Sequence, residues 1–380
     1  GPIAHGGHFI SRHNGQVVFV RHAITGEKAV VKITSISSKL AHGDAIKILK
    51  ESSKRIKPAC NYATPDGCGG CDFQHIEISA QQKLKLEVIK DQFMRIAKIK
   101  VDPKIVSSKP SDGLRWRTRF DFAVSENGKV GFYSSKTKKV VEIDKCSIAL
   151  NKINNSDIFS KKWNGSDRVR VAVSSSDQLN ISRGKKTIAG PKKIREVVGD
   201  NFYDISPQSF WQSHTQAPSI LSDLVVDFMR LKPGDIVCDL YGGVGLFTMP
   251  ISKKIGNDGH VHLVELSSHS VRDAYKIFKD YTNVSIHRGN VDRKLPKINN
   301  IDIIVLDPPR TGAGKEVVNQ IISKQPRAVV YISCDPASLA RDVKYLKDSD
   351  YELDKINAID LFPMTHHIEC IVRFIPKKKN

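Results

Sequence analysis

Along residues 1–57 apolar and polar positions alternate in short runs. QVVFVRH (16–22), AVVKITSI (29–36) and DAIKILK (44–50) each read as a half-buried strand. Gly15, Gly26 and Gly43 punctuate them at hairpin spacing. No helical period interrupts, which predicts a small OB-like β-barrel, an architecture that often grips nucleic acid. The period then changes. Residues 79–99 place apolar side chains at 84, 86, 88, 89, 93, 96 and 97 behind Ser79, predicting a Ser-capped amphipathic helix. Alternation returns in RWRTRFDFAV, KVGFYSS and KKVVEID over 115–146, an antiparallel sheet with turns at Glu126–Gly128 and around Thr137. RVRVAVSS and KTIAG continue as strands within 150–200.

From about 218 the texture differs. A helix over 219–231 precedes the turn Lys232-Pro233-Gly234-Asp235. Then IVCDLY, HVHLVEL, VSIHRG, IDIIVLD and AVVYIS follow, each a nearly continuous apolar run of the kind buried on both faces. Helical stretches separate most of them, so the segment is expected to form an open, mainly parallel α/β sheet. The last pair, around YELDKINAIDLF and HIECIVRFI, has little between it and reads as an antiparallel addition. The closing KKKN reads as a frayed basic tail. The expected architecture is α/β, with a barrel over 1–57, a central α+β domain over 58–215 and a Rossmann-like domain over 216–380.

Composition sharpens this outline. A length of 380 residues, at ~150 per domain, suits two or three domains. A hydrophobic fraction of 40% excludes whole-chain disorder. No run of 18 apolar residues predicts a membrane span. No charged-then-apolar leader opens the chain, and a cytoplasmic setting is expected. Sixty Lys and Arg against forty Asp and Glu give +20, which attracts polyanions. The bases are spread along the chain and not gathered on one amphipathic helix, so nucleic acid is favoured over an anionic membrane surface. Seven cysteines cannot all pair. Cys60, Cys68 and Cys71 crowd together and Cys146 stands apart. Four thiolates suit zinc or an iron–sulfur cluster, and spacing alone does not choose. Cys238 and Cys370 read as structural.

The chemistry gathers at strand ends. Asp239-Leu-Tyr-Gly-Gly-Val-Gly245 closes the first α/β strand, and Gly243 and Gly245 would let a nucleotide-like ligand approach the backbone. Thr248 breaks the dinucleotide fingerprint, which disfavours NAD. Glu265 closes the second strand, placed to accept from ribose hydroxyls. Asn290 follows the third, where an adenine could be read. Turn, acid and sheet together resemble the S-adenosylmethionine fold. Asp307-Pro-Pro-Arg310 closes the fourth strand, with Arg310 where amino-group methyltransferases carry an aromatic, so amine methylation is the runner-up. Ser333-Cys334-Asp335-Pro336 closes the fifth. A buried Cys is usually a small hydrophobe, but one at the crevice rim beside a methyl donor suggests covalent catalysis. Glu369, set among apolar residues, would have its pKa raised by desolvation and so accept a proton more readily. On its own it could equally be an idle strand-start acid.

Together these motifs resemble the RNA uracil-5 methyltransferases, in the branch with a TRAM barrel and an iron–sulfur cluster that is similar to the bacterial 23S rRNA enzymes. GQVVFVRHAITGE, the cysteine run, Phe210-Trp211-Gln212, DLYGGVGLFT, DPPRTGAG, ISCDPASLARD and HHIE carry the resemblance over nearly the whole chain. It implies a class I methyltransferase sheet, with Cys334 as nucleophile and Glu369 as the base that removes the carbon-5 proton. It places Gln212, Tyr241, Glu265 and Asp307 around S-adenosylmethionine or the target uracil. It favours a [4Fe–4S] cluster over zinc on Cys60, Cys68, Cys71 and Cys146. Leu246 departs from an Asn common in the family, and the gap between Cys60 and Cys68 is longer than usual. The implied substrate is RNA, ribosomal before transfer, methylated by a monomer. A non-catalytic RNA-binding or ribosome-assembly factor is the alternative, and the intact Cys334–Glu369 pair argues against it. Arg115, Trp116, Arg117 and Arg119 are a candidate RNA cluster or a solvated strand face.

Overall fold

The computed structural model describes residues 1–380 except 38–39, 136, 138, 166–167 and 379–380. The last two residues of the basic tail and the two neighbours of Thr137 therefore lie outside the described residues.

The N-terminal alternation forms β1 (Ile3–Ala4), β2 (His8–His13), β3 (Gln16–Arg21), β4 (Lys28–Ile36) and β5 (Leu40–Lys50), in the sheet order β1-β2-β3-β5-β4. β5 serves two partners, running parallel to β3 and antiparallel to β4. Three register shifts along β4 bend this pair, as bulges do. Gly15 and Gly26 turn the chain with φ of 78° and 87°. Gly43 does not. It lies inside β5, where a Cβ would stand 2.5 Å from Val31 Cγ1 and 2.9 Å from the Lys32 carbonyl oxygen. The glycine marks close approach of backbones within a strand, a role that spacing cannot separate from a turn.

Helix α1 (Ile78–Gln92) runs into a π-helical turn over Phe93–Ala97. Ser79 is not its cap. Glu77 occupies that position without a side-chain cap bond, and Ser79 Oγ donates to the Glu77 carboxylate at 2.8 Å. Leu84 and Ile89 are buried as the period predicts, but so is Lys85. Its ammonium donates to Asp360 Oδ1 at 2.7 Å and the Phe362 carbonyl at 3.0 Å, which satisfies a charge that could not otherwise be desolvated. The chain continues through β6 (Lys104–Ser107) to β7 (Arg119–Val124), β8 (Val130–Tyr133) and β9 (Val140–Glu142). After the short α2 (Asn151–Asn154), β10 (Val169–Val173), β11 (Leu179–Arg183) and β12 (Lys186–Ala189) complete a six-stranded sheet, β12-β11-β10-β7-β8-β9. The hairpin β13 (Ile194–Val198) and β14 (Asn201–Ile205) leads out of it.

The C-terminal segment opens with α3 (Ala217–Met229) and then alternates β15 (Ile236–Leu240), α4 (Thr248–Ile255), β16 (His260–Glu265), α5 (Ser268–Ile277), β17 (Val284–Arg288), α6 (Val291–Lys294), β18 (Ile303–Leu306), α7 (Gly314–Ser323), β19 (Ala328–Ser333) and α8 (Pro336–Lys347). β20 (Tyr351–Asp360) and β21 (Glu369–Pro376) end the chain as the expected antiparallel pair. The sheet order is β17-β16-β15-β18-β19-β21-β20-β6. Its eighth strand, β6, comes from outside residues 216–380 and pairs in parallel with β20. Ile89, Phe93, Ala97 and Val101 join the apolar core on the α7–α8 face of this sheet. Packing therefore draws residues 78–107 towards the C-terminal sheet. Strands β15 and β18 are neighbours although the chain visits two others between them, so the crevice where strand order reverses lies at their carboxyl ends.

Candidate active site

A cavity of about 1230 Å³ opens at that crevice and reaches the central sheet. Its lining brings together residues far apart in the chain: Cys334 and Glu369; Gln212, Tyr241, Gly243, Glu265, Asn290 and Asp307; and Cys60, Cys68, Cys71 and Cys146. Of the expected site residues, Gly245 is missing from the lining. Its φ is 95°, and a Cβ would come within 2.3 Å of Phe278, so this glycine serves the packing beneath the turn. Gly243 differs. With φ of 59° and open space where a Cβ would stand, it leaves room for a ligand.

Cys334 and Glu369 meet through strand register. Ser333 pairs with Cys370 across the antiparallel β19–β21 ladder, so the next residues outward are Cys334 and Glu369. Burial pushes the Cys334 thiol up to about 12, and the nearby Glu369 and Asp307 carboxyls add to this against the Arg310 guanidinium. Burial also raises Glu369 well above the ordinary carboxylate range, helped by Asp307. Glu369 Oε1 is buried with no protein hydrogen-bond partner. Asp307, just beyond β18, is pushed up to about 7 by burial and by the Asp239 charge. Asp239, buried within β15, is likewise raised to about 7. Its Oδ2 accepts from the Thr248 hydroxyl at 2.6 Å, while Oδ1 has no partner. Thr248, which breaks the dinucleotide fingerprint, thus supports this acid. Asp239 was not singled out from the sequence, because an acid inside an apolar strand carries no spacing signal.

On the nucleotide side, Tyr241 sits at φ 60°. Glu265 accepts from the Gly243 amide at 3.0 Å and the Ser267 amide at 2.5 Å. A carboxylate with these two bonds keeps further lone pairs for hydroxyl donors. Asn290 is exposed at the rim, and Leu266, 62% exposed, offers an apolar face beside Glu265. Leu246 is buried in the core, where its carbonyl accepts from Tyr203 at 3.3 Å. Trp211 is buried while Phe210, 67% exposed, reaches into the cavity with Gln212.

The basic wall differs from expectation. Trp116 is fully buried, stacked on His214 at 5.3 Å, and cannot receive a base. Arg115 is exposed, pairs with Asp112 and lies off the cavity. Arg117 and Arg119 do line it, Arg119 paired with Glu196 at 2.9 Å. Arg168 and Arg170 join them from β10 and its approach. The signal was present in RVRVAV, where alternate residues share a face, but the strand was read only for its apolar positions.

The four cysteines are free thiols on the wall next to Arg117. Burial pushes Cys71 up beyond the ordinary thiol range and Cys146 to about 11, and their neighbouring thiols add to both shifts. Among the described residues, however, no group of three or more His, Cys, Asp or Glu side chains could hold a metal ion. The four cysteines line one cavity, but the expected metal site is not shown among the described residues. Cys238 and Cys370 are fully buried in β15 and β21. No helix among the described residues is long and apolar enough to cross a membrane.

The family model for tRNA (uracil-5-)-methyltransferases matches residues 161–377, and the TRAM domain model matches residues 1–46. An uncharacterized RNA methyltransferase of Streptomyces avermitilis is 35% identical, the match covering 100% of this chain and 98% of the relative. One of Corynebacterium glutamicum is 31% identical over 98% of this chain and 94% of its own. Among solved structures, the Pyrococcus abyssi tRNA (uracil-54, C5)-methyltransferase, crystallised with S-adenosyl-L-homocysteine, superimposes with a TM-score of 0.72. It is 22% identical and covers 94% of this chain and 95% of that one, a likeness of fold: a class I methyltransferase sheet.

Proposed function

The chain belongs to the tRNA (uracil-5-)-methyltransferase family, an RNA methyltransferase enzyme with a TRAM domain, and from that premise we propose that it methylates carbon 5 of a uridine in structured RNA through a Cys334–uracil adduct. One observation carries the reading. The β19–β21 register sets a thiol and a carboxyl with a free oxygen side by side on the cavity that Glu265 and Asp307 also line.

S-adenosylmethionine, when bound, supplies an electrophilic methyl on a cationic sulfur. Tyr241, Gly243, Glu265 and Asn290 are the residues proposed to hold it, with Gln212 and Asp307 between it and the uracil. Carbon 5 of uracil is a poor nucleophile. Addition of the Cys334 thiolate to carbon 6 moves electron density to carbon 5, which then takes the methyl, the electrons of the broken carbon–sulfur bond staying on a sulfur that leaves as a neutral thioether. Glu369 accepts the carbon-5 proton, the carbon 5–carbon 6 double bond re-forms, and Cys334 leaves with the electrons of its bond to carbon 6. A thiol held near 12 is protonated at neutral pH. Its ionisation needs nearby positive charge, which Arg310 and the cationic sulfur supply. The uracil must leave its stack to reach both groups, and Phe210 offers it an exposed ring.

Cys60, Cys68, Cys71 and Cys146 are proposed to hold a [4Fe–4S] cluster and not zinc. A donor set of four thiols without carboxylate or imidazole suits either. A single zinc would need its sulfurs about 3.8 Å apart, from the ~2.3 Å bond in tetrahedral geometry. The choice of the cluster over zinc rests on the resemblance to the cysteine-bearing branch. Such a cluster, held by these four cysteines, would tie the loop 60–71 to Cys146.

The substrate is proposed to be ribosomal RNA, on the resemblance of the cysteine-bearing branch, with transfer RNA as the second reading, on the names of the family model and the archaeal neighbour. The protein is proposed to act as a cytoplasmic monomer. Mapping 5-methyluridine in both RNA pools from cells lacking the protein tests this. Loss of a single rRNA site supports the reading, loss of a tRNA site selects the second, and no loss in either pool refutes both.

A further inference from the structure

The N-terminal barrel touches the two loops that carry Cys334 and Glu369. Its first turn, His5-Gly6-Gly7, joins β1 to β2. His5 Nε2 lies 2.8 Å from Asp335 Oδ2, a contact between residues 330 positions apart. Asp335 directly follows Cys334, and its other carboxylate oxygen accepts from the Ser338 amide at 2.7 Å, which makes it the N-cap of α8. Against the upward push of burial, the bonds from His5 and Ser338 hold Asp335 down at about 2. His5, bonded to Asp335, is raised in turn. Two residues on, Gly7 has φ of 76°, and a Cβ there would stand 2.7 Å from His366 Cβ and 2.8 Å from Asp72 Oδ2. His366 lies on the loop leading to Glu369, and its amide donates to Asp72 Oδ1 at 2.9 Å. A second cavity of about 190 Å³ lies beside this contact, lined by Ile3 and His5 together with Cys334 and Asp335.

We propose that this turn is a positioning brace: His5 fixes the loop behind the nucleophile and Gly7 seats the loop before the base, so that placement of the barrel sets the mutual geometry of Cys334 and Glu369. The inference rests on the roles proposed above for those two residues. It gives the barrel a part in the chemical step in addition to any grip on RNA. Neither His5 nor Gly7 needs to touch substrate. Their effect passes through Asp335 and His366, and a small displacement there is amplified because reacting groups tolerate little misplacement.

The full-length protein provides the test, with His5→Ala, His5→Gln and Gly7→Ala variants. His5 is partly exposed, so its substitutions should fold. Single-turnover methyl transfer at saturating RNA reads the chemical step, filter binding reads RNA affinity, and iodoacetamide labelling of Cys334, followed by peptide mass mapping without RNA, reads the loop itself. His5→Ala should slow transfer by about fivefold or more, shift the Cys334 labelling rate by about threefold, and leave RNA affinity within about twofold. His5→Gln keeps a side-chain donor and should recover most of the rate. Gly7→Ala should slow transfer as His5→Ala does. Unchanged transfer and labelling in His5→Ala would overturn the brace, and so would a loss confined to RNA affinity. Should Cys334 not be the nucleophile, Cys334→Ala would stay active while the labelling shift in His5→Ala persisted, which separates the two failures.

Discussion

The two walls of the large cavity are built from opposite charges. The wall at the carboxyl ends of β16 and β18 and the start of β21 carries Glu265, Asp307 and Glu369, while Asp239, which acts on Asp307, is buried in β15 off the lining. The wall from the central sheet carries Arg117, Arg119, Arg168 and Arg170. A chain of net charge +20 thus keeps a concentrated acidic edge where its reaction is proposed to occur. The division fits the ligands, since a sulfonium is a cation and an RNA backbone is a polyanion. The walls also differ in how their charges are kept. Asp307, Glu369 and the buried Asp239 are raised by burial, whereas the arginines are tied to partners such as Glu196 and Asp121. On the proposed reading, the acidic wall handles protons and the basic wall positions RNA.

The largest test of that difference removes chemistry from the acidic wall alone. Cys334→Ala should lower turnover by about 10³-fold or more while RNA affinity holds, because nucleophile loss removes the covalent route. Glu369→Gln should still add and methylate, then stall by about 10²-fold or more at proton removal, leaving a denaturation-resistant protein–RNA adduct on a gel. Equal loss of RNA affinity in either variant would break the division of labour.

A smaller effect is expected from the basic wall. Arg168→Ala with Arg170→Ala should weaken RNA binding by about tenfold and flatten its salt dependence by about 1.4, at ~0.7 per phosphate for two contacts on single strands. Methyl transfer at saturating RNA should stay near that of the parent protein. A collapse of the chemical step would place these arginines at the reacting base.

The smallest effect concerns pH. Asp307 titrates near 7, so its carboxylate forms as pH rises through that value. Binding of the cationic cofactor should tighten a few-fold from about pH 6 to 8 with release of a proton, and Asp307→Asn should flatten the slope in calorimetry. Asp239 carries the opposite sign for folding. With a folded pKa near 7 against about 3.9 unfolded, the native state holds extra protons between those values. Stability of the free protein should therefore fall as pH rises from about 4 to 7, and Asp239→Asn should lose that part of the slope in thermal melts.

The acidic wall was the more legible of the two. Cys334, Asp307 and Glu265 each stand at the end of an apolar run, where a polar residue has no packing reason to be. The glycine turn could be placed by the same rule, although Gly245 proved to clear space for Phe278, whereas Glu369 opens its strand and was singled out by the family resemblance. The basic wall was harder to read. Trp116 looked like a base-stacking residue among arginines, but the core claimed it, and Arg168 and Arg170 hid in a strand read for its valines. Lys85 sits among apolar helix positions, and the Asp360 that lets it be buried lies 275 residues away.

By itself the amino-acid sequence determined the order and kind of most elements, because strand and helix periods are local, and it determined which chemistry ends each strand of the C-terminal sheet. Only the tertiary structure decided that β6 completes that sheet, that four arginines share a cavity with Glu265, Asp307 and Glu369, and that His5 reaches Asp335. The reason is physical. Pattern reports what one residue's neighbours in the chain allow, whereas desolvation, ion pairing and close approach depend on which distant segments close over it.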